Sequence, residues 1–379
     1  MKFLNKYILK KAITNPWEIA PKPEKTDYKF IIVIPSLREG ENILHTLQSI
    51  SSQNSELQKQ LLVIFVINNS ENADNETKIE NQKSKNLLNK FQGIFEIGII
   101  DAYSKFPLSN KHAGVGLARK IGFDLALPFT NKNTILCALD ADTTISPDYL
   151  IILDSYFSKQ KVNCLVLGIK HQYSENLNEE KAIREYEDFL YSTANKLKKI
   201  NSPYGFVSMG SAMCFSPECY IKAGGISKKK ATEDFYFLQE VVKTSSIKSI
   251  PEIIVYPSPR VSNRVYLGTG FRMGQAKKGD KLIKLKYDDE SFKYLGEWIK
   301  LGEKSYQISI QQVLIEAREI EIRLPIFLTQ NKIEKIWRGL NSSSSNNNNF
   351  KAQFHRWFDG LKTYRFLKYF STDHSASVQ

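Results

Sequence analysis

Thr134–Asp142 reads TILCALDAD, an apolar run that stops abruptly at two aspartates one residue apart. An apolar run bounded by polar residues predicts a buried strand. Side chains two apart along an extended backbone point the same way. Asp140 and Asp142 are therefore expected to set two carboxylates on one side of the strand's carboxyl end. Open α/β sheets bind ligands just outside such ends, and paired carboxylates there suit a hard divalent cation, Mg2+ or Mn2+, meeting a phosphate. A lone D-x-D is weak evidence. Its weight comes from the segments around it.

Upstream, Phe30–Ile34 (FIIVI) and Leu61–Ile67 predict two further buried strands, and a third is expected near Ile94–Ile100. Helical spacing follows the first strand (Ile43, Leu44, Leu47, Ile50) and recurs in Gly114–Leu127. Strands alternating with helices predict a mainly parallel sheet with helices on both faces. Downstream, Ser146–Pro147 is expected to open a helix. Glu179–Ile200 reads as a long charged helix, Ser216–Pro217 as the start of a short one ending at Gly224–Gly225, and Thr232 as the cap of the next. Glu303–Leu324 reads as one helix. The expected organisation is a lead-in over 1–25, a catalytic domain over 26–280, a helical extension over 281–341, a low-complexity linker (SSSSNNNN) over 342–349 and a basic, aromatic tail over 350–379.

With 379 residues, 42% of them hydrophobic and 25% charged, the chain can bury a sizeable core. No stretch approaches the roughly 18 unbroken apolar residues of a spanning helix. The N-terminus lacks an apolar signal region, because Asn5, Lys6, Lys10 and Lys11 interrupt it. Four cysteines without paired zinc spacing read as buried thiols in a reducing cytosol. The net charge of +13 favours an anionic partner. The lysines are scattered rather than gathered into a nucleic-acid module, so no nucleic-acid partner is expected.

Four more constellations could carry chemistry, and each has a plainer explanation. PSLREGEN (Pro35–Asn42) leads from a strand end into a helix, where Glu39 could accept hydrogen bonds from a ribose or base, or simply complement the helix dipole. Asn68–Asn69 could read a base edge or form an Asx turn. In Gly114-x-Gly116-x-x-Arg119 the glycines could admit a ligand and Arg119 could bind phosphate, or the motif could open a surface helix. Glu233–Asp234 could supply a general base, or compensate a helix dipole.

Taken together and in order, IIVIPSLREGEN, VINNSEN, GVGLARKIG, LDADT, GSAMCFSPECYIKAGG and TEDFYF resemble the family 2 glycosyltransferases of the GT-A fold, over about 30–242. The resemblance implies an α/β, Rossmann-like mixed and mainly parallel sheet flanked by helices, with a helical C-terminal extension. It implies an enzyme that moves a single sugar from a nucleotide-sugar donor to a glycan or lipid-linked acceptor, with Mg2+ or Mn2+ and with inversion. Pro35, Glu39 and Asn69 then surround the nucleoside and Arg119 lies near the donor. Asp140 and Asp142 hold the metal, Asp140 also contacting the donor. Gly210 and Ser211 line the acceptor side, and Asp234, with Glu233 beside it, is the base.

Three departures qualify the match. Strand two ends in Asn68–Asn69 where the family usually has aspartates, which puts uridine in doubt as the donor base. Lys120 stands where an asparagine usually follows the arginine. The processive enzymes' Q-x-x-R-W signature is absent; the corresponding PSPRVSNRVYLGTGFRMG offers Arg260 or Arg264 to a diphosphate or an anionic acceptor. The competing classes are a non-catalytic nucleotide-sugar or glycan-binding relative and a nucleotidyltransferase. The latter would want a glycine- and lysine/arginine-rich loop after strand one, where PSLREGEN carries one glycine and one arginine. The tail (350–370) interleaves aromatic and basic residues, which suits either an anionic leaflet on the inner face of the cell membrane or a helix packed against the catalytic domain.

Overall fold

The computed structural model describes residues 2–260 and 286–371, with the side chains of Lys2 and Phe3 excepted. The chain divides into two compact units, Met1–Glu187 with Ser208–Leu282, and Asp188–Val207 with Ile283–Gln379.

The first unit is built on an eight-stranded sheet: β1 (Phe30–Ser36), β2 (Leu61–Asn68), β3 (Glu96–Ala102), β4 (Ile135–Ala138), β5 (Thr144–Ile145), β6 (Cys164–Ile169), β7 (Met213–Phe215) and β8 (Lys248–Tyr256). Their order is β3-β2-β1-β4-β7-β6-β8-β5. The pairings β1–β2, β1–β4, β2–β3 and β6–β8 are parallel, while β7 runs antiparallel to both neighbours and β5 antiparallel to β8. The expected mixed, mainly parallel sheet is present. Every residue of β2 and β4 is buried, as strands covered on both faces require. From β1 the chain moves outward through β2 to β3, then returns to the other side of β1 as β4. That reversal makes the carboxyl ends of β1 and β4 a topological switch point, the crevice where such sheets take ligands.

Several local expectations change. The strand in TILCALDAD stops at Ala138, and Asp140–Thr143 forms a turn closed by the Thr143 amide on the Asp140 carbonyl at 3.2 Å. The helix after Pro147 begins at Tyr149 with Asp148 at its cap position, and the Ser146 hydroxyl is buried without a partner. Thr232 does occupy the N-cap of Glu233–Val242, but at φ +60° its hydroxyl donates to the Ala231 carbonyl instead of capping. Ser216 and Gly224 behave as expected: Ser216 Oγ accepts from the Cys219 amide, and Gly224 ends the helix at φ +88°.

The lead-in is an integral part of this unit. Tyr7, from the helix Lys2–Lys10, donates to Asp124 at 2.8 Å, as does Tyr220, while the Ile13 amide takes the other carboxylate oxygen. Lys120 Nζ lies 2.9 Å from that same oxygen and 3.0 Å from the Tyr7 hydroxyl. Asp124 is fully buried, and each of these bonds offsets the cost of burying its charge. This network accounts for Lys120, which points to structure rather than to a ligand.

The second unit is helical: the segment Asp188–Val207, then Asp289–Lys304, Ile310–Ile320, Leu324–Gln330, Ile333–Ser342, Asn347–Trp357 and Gly360–Ser371. The single helix expected over Glu303–Leu324 is broken at Ser305–Ser309, where Ser309 caps its successor through the Gln312 amide. SSSSNNNN is not an extended linker, since Ser342 ends one helix, Asn346 caps the next and Asn347 begins it. The tail is two helices, and its aromatic side is spent internally. Phe350, Phe354, Phe358 and Phe366 are all buried in one core with Leu197, Trp298 and Trp337. The tail's aromatic residues pack within its own unit, where the plainer reading packs them against the catalytic domain. Among the described residues no helix is long and apolar enough to cross a membrane. All four cysteines are free and buried.

Substituting Asp124→Ala strands Lys120 and two buried hydroxyls. Urea unfolding is expected to show a loss of about 3–5 kcal/mol. A change under 1 kcal/mol would mean that the network does not anchor the lead-in.

Candidate functional site

At the switch point two guanidinium groups each gather carboxylates from distant parts of the first unit. Arg119, one turn into the helix Val115–Ala126, is 2% exposed. Its Nη1 donates to Glu233, at the start of Glu233–Val242, and its Nη2 to Asp140, in the turn after β4. Arg260, just beyond β8, places Nη2 at 2.7 Å from Asp142 Oδ2 and at 3.0 and 2.8 Å from the two oxygens of Glu39. Glu39 follows β1 and is nearly buried, while the Asp142 side chain is a quarter exposed. The two aspartates therefore do not act as one pair on a strand face. The turn between them sends each to a different arginine.

Each charge is tuned by burial and by its partners. Burial alone would lower the proton affinity of Arg119, but Asp140 and Glu233 outweigh it and raise the pKa. The same balance, with Asp142 and Glu39, raises that of Arg260. Burial pushes the Glu233 carboxyl up against the pull of Arg119. Asp234 is also raised, chiefly by burial and again against Arg119. Its Oδ1 accepts from the Phe235 amide at 2.7 Å.

The glycines serve this arrangement. A Cβ on Gly116 would overlap the Lys229 carbonyl and lie 2.9 Å from Glu233 Cβ, so Gly116 lets the segment Ser227–Glu233 close onto the helix of Arg119. It admits the chain itself, where the sequence suggested a ligand. Gly210 lies directly against the Arg119 guanidinium, which leaves no room for a side chain. Ser211 beside it is fully buried with an unpartnered hydroxyl.

At the end of β2, Asn69 is fully engaged: its carbonyl oxygen accepts from Asn81 at 2.9 Å, and its amide donates to the Ser70 and Tyr103 carbonyls. Asn68, by contrast, keeps a buried, unpartnered Oδ1, as does Ser36 its Oγ at the end of neighbouring β1 and Thr143 its hydroxyl after Asp142. Unmatched buried hydrogen-bonding groups are costly in a finished core, and these lie at the carboxyl ends of β1 and β2 and in the turn after β4. Pro35 lies within β1 next to Ser36. Arg264 lies outside the described residues. Sequence reasoning gave Arg260 only as an alternative to Arg264; its contacts span 221 positions, and no local pattern signals them. Asn81 and Asp124 were missed for the same reason.

No protein-family model matches the sequence, and no curated protein matches it. Among solved structures, residues 1–349 of S. aureus TarS in complex with UDP-GlcNAc are similar at 12% identity, covering 82% of this chain and 92% of that one with a TM-score of 0.43. The mannosyltransferase PcManGT from Pyrobaculum calidifontis, in complex with GDP-Man and Mn2+, is similar at 13% identity over 97% of this chain and 91% of that one, with a TM-score of 0.41.

Gly116→Ala is expected to force the Ser227–Glu233 segment off the Arg119 helix. The cost should be about 1–3 kcal/mol in denaturant melts. An unchanged midpoint would show that the segment yields freely.

Proposed function

We propose that the chain is a glycosyltransferase of the family 2, GT-A type. It moves a single sugar from a nucleotide-sugar donor to a hydroxyl of a glycan or lipid-linked acceptor, with metal dependence and inversion. The observation that carries this reading is the gathering of Glu39, Asp142 and Arg260, and of Arg119, Asp140 and Glu233, at the switch point of the sheet. These are the residues that the family resemblance brings forward from motifs scattered along the sequence.

Pro35 and Glu39 flank the nucleoside, with Glu39 accepting from ribose hydroxyls. Asn69 shapes that wall through Asn81 and leaves base contacts to its neighbour. Asp142 and Asp140 are the carboxylates for Mg2+ or Mn2+. Asp142 fits the ion in chemistry, as a hard oxygen donor with a partly exposed side chain that already accepts a cationic partner, whereas Asp140 is turned to Arg119 and would join it by exchanging that partner. When bound, the cation offsets charge building on the departing diphosphate. Glu233 holds Arg119 in place, and Gly210, against the Arg119 guanidinium, and buried Ser211 shape the wall behind the acceptor. Asp234 takes the acceptor's hydroxyl proton as the oxygen attacks the anomeric carbon and the bond to the diphosphate breaks.

Incubating the protein with nucleotide sugars, Mn2+ and candidate acceptors should release nucleoside diphosphate. Pyrophosphate would indicate nucleotidyl transfer, and donor binding without any release would indicate a non-catalytic relative. Asp234→Asn should retain donor binding in a thermal-shift assay and lose about 10²–10⁴-fold in transfer; wild-type turnover in this variant rules out Asp234 as the base. Because its pKa is raised, the base is protonated at higher pH than an ordinary aspartate. Activity should therefore be present above the raised pKa and fall as pH drops through it. The acid limb should lie above pH of about 4, and a limb at or below that value contradicts the assignment.

A further inference from the structure

We propose that the acceptor is a chain bearing repeated phosphate groups, and that Lys228 and Lys230 hold it beside Asp234. The inference rests on the glycosyltransferase reading above and adds the class of acceptor to it. Ser227–Ala231 reads SKKKA, and its three lysines are exposed. The run leads through Thr232 into the helix Glu233–Val242, whose second residue is Asp234. Close backbone approach, not charge, holds it there. A Cβ on Gly114 would lie 2.8 Å from the Lys230 Cα, and one on Gly116 would overlap the Lys229 carbonyl. Lys229 is tied down by its side chain as well, with Nζ 3.7 Å from the centroid of the Tyr236 ring.

Lys228 and Lys230 have no such tie. The glutamates around them in sequence are spent elsewhere, Glu218 on Lys222, Glu233 on Arg119 and Glu240 on Lys243, and among the described residues no carboxylate pairs with either lysine. Lys111, also exposed, stands three residues before Gly114, in the loop that Lys230 meets. Like charges gathered without partners repel one another, and an anion bound among them offsets that cost. The cations come from two separate segments, which suits a chain with several charges better than a single one. All are lysines, and an ammonium meets phosphate as a point charge without the planar geometry of the arginine fork. A lipid surface would want an apolar residue beside them, but Ile226, at the head of the run, is 1% exposed. Phosphates held at Lys228 and Lys230 carry a neighbouring hydroxyl of the same chain to Asp234.

The test is the binding of fluorescein-labelled inorganic polyphosphate to the full chain, read by anisotropy, in wild type and in Lys228→Gln/Lys230→Gln. Lys78→Gln/Lys90→Gln, at exposed positions of the helix Asn75–Lys90, removes the same charge and is the control. The first pair should weaken binding at least about tenfold and flatten the slope of log affinity against log salt by about 1.5. The control should change affinity by less than about twofold. Saturating UDP or GDP should leave polyphosphate bound, because the nucleotide takes the donor side. Should the double variant melt early, Lys228→Glu alone should weaken binding at least about fivefold. Equal affinity in wild type and Lys228→Gln/Lys230→Gln, an equal loss in the control, or displacement by nucleotide overturns the proposal. So does a loss seen only with phosphatidylglycerol vesicles, which would assign the lysines to a membrane. Thermal shifts with UDP and GDP on the same proteins separate the two readings. A nucleotide shift without polyphosphate binding removes the phosphate-bearing acceptor alone. Polyphosphate binding without any nucleotide shift removes the glycosyltransferase reading, and the acceptor role with it.

Discussion

The first unit is organised around one buried guanidinium. Arg119 arrives on a helix that packs across β1 and β2, and its two carboxylate partners come from the turn after β4 and from the start of Glu233–Val242. A buried cation is tolerated only when paired and hydrogen-bonded. The three segments are therefore fixed to one another by the penalty of separating them. The small residues around the group follow from the same constraint. Gly210 leaves room for the guanidinium, and Gly116 lets the chain before Glu233 come close enough for the pair to form. Asp234, next along, inherits its position from Glu233.

The first four strands were legible because they are short apolar runs between polar turns, and a strand buried on both faces leaves that pattern locally, whereas β6, the short β5 and β7, and the partly exposed β8 were not read. FIIVI, LLVIFVIN and ILCA need no tertiary knowledge to be read. The end of β4 was less legible. Alternation says where two aspartates point only if the strand continues, and here the backbone turns at Asp140, so the pair is split between two arginines. Gly114 and Gly116 look in sequence like room for a ligand, yet the space at Gly116 belongs to a carbonyl 113 positions away, at Lys229. Lys120 reads as a departure from a family pattern until Tyr7, Asp124 and Tyr220 are seen around it. In each case the missing information is a partner distant in sequence. The tail shows the converse limit: an aromatic stripe reports that something apolar covers it, but not what. Phe350 and Phe354 would look the same against lipid as against Trp298 and Trp337.

The proposed function is also an argument about charge. The chain as a whole carries +13, yet among the described residues carboxylates gather at the switch point. Glu39, Asp140, Asp142, Glu233 and Asp234 stand with Arg119 and Arg260. Burial makes Glu233 and Asp234 hold protons more readily, which relieves part of the imbalance on the acceptor side. Glu39 and Asp142 both meet the Arg260 guanidinium. A bare diphosphate entering there would meet like charge in a partly desolvated crevice, where repulsion is weakly screened. The general basicity of the surface can draw an anion toward the protein, but it cannot neutralise charge inside the pocket. A donor that enters together with a divalent cation removes the repulsion.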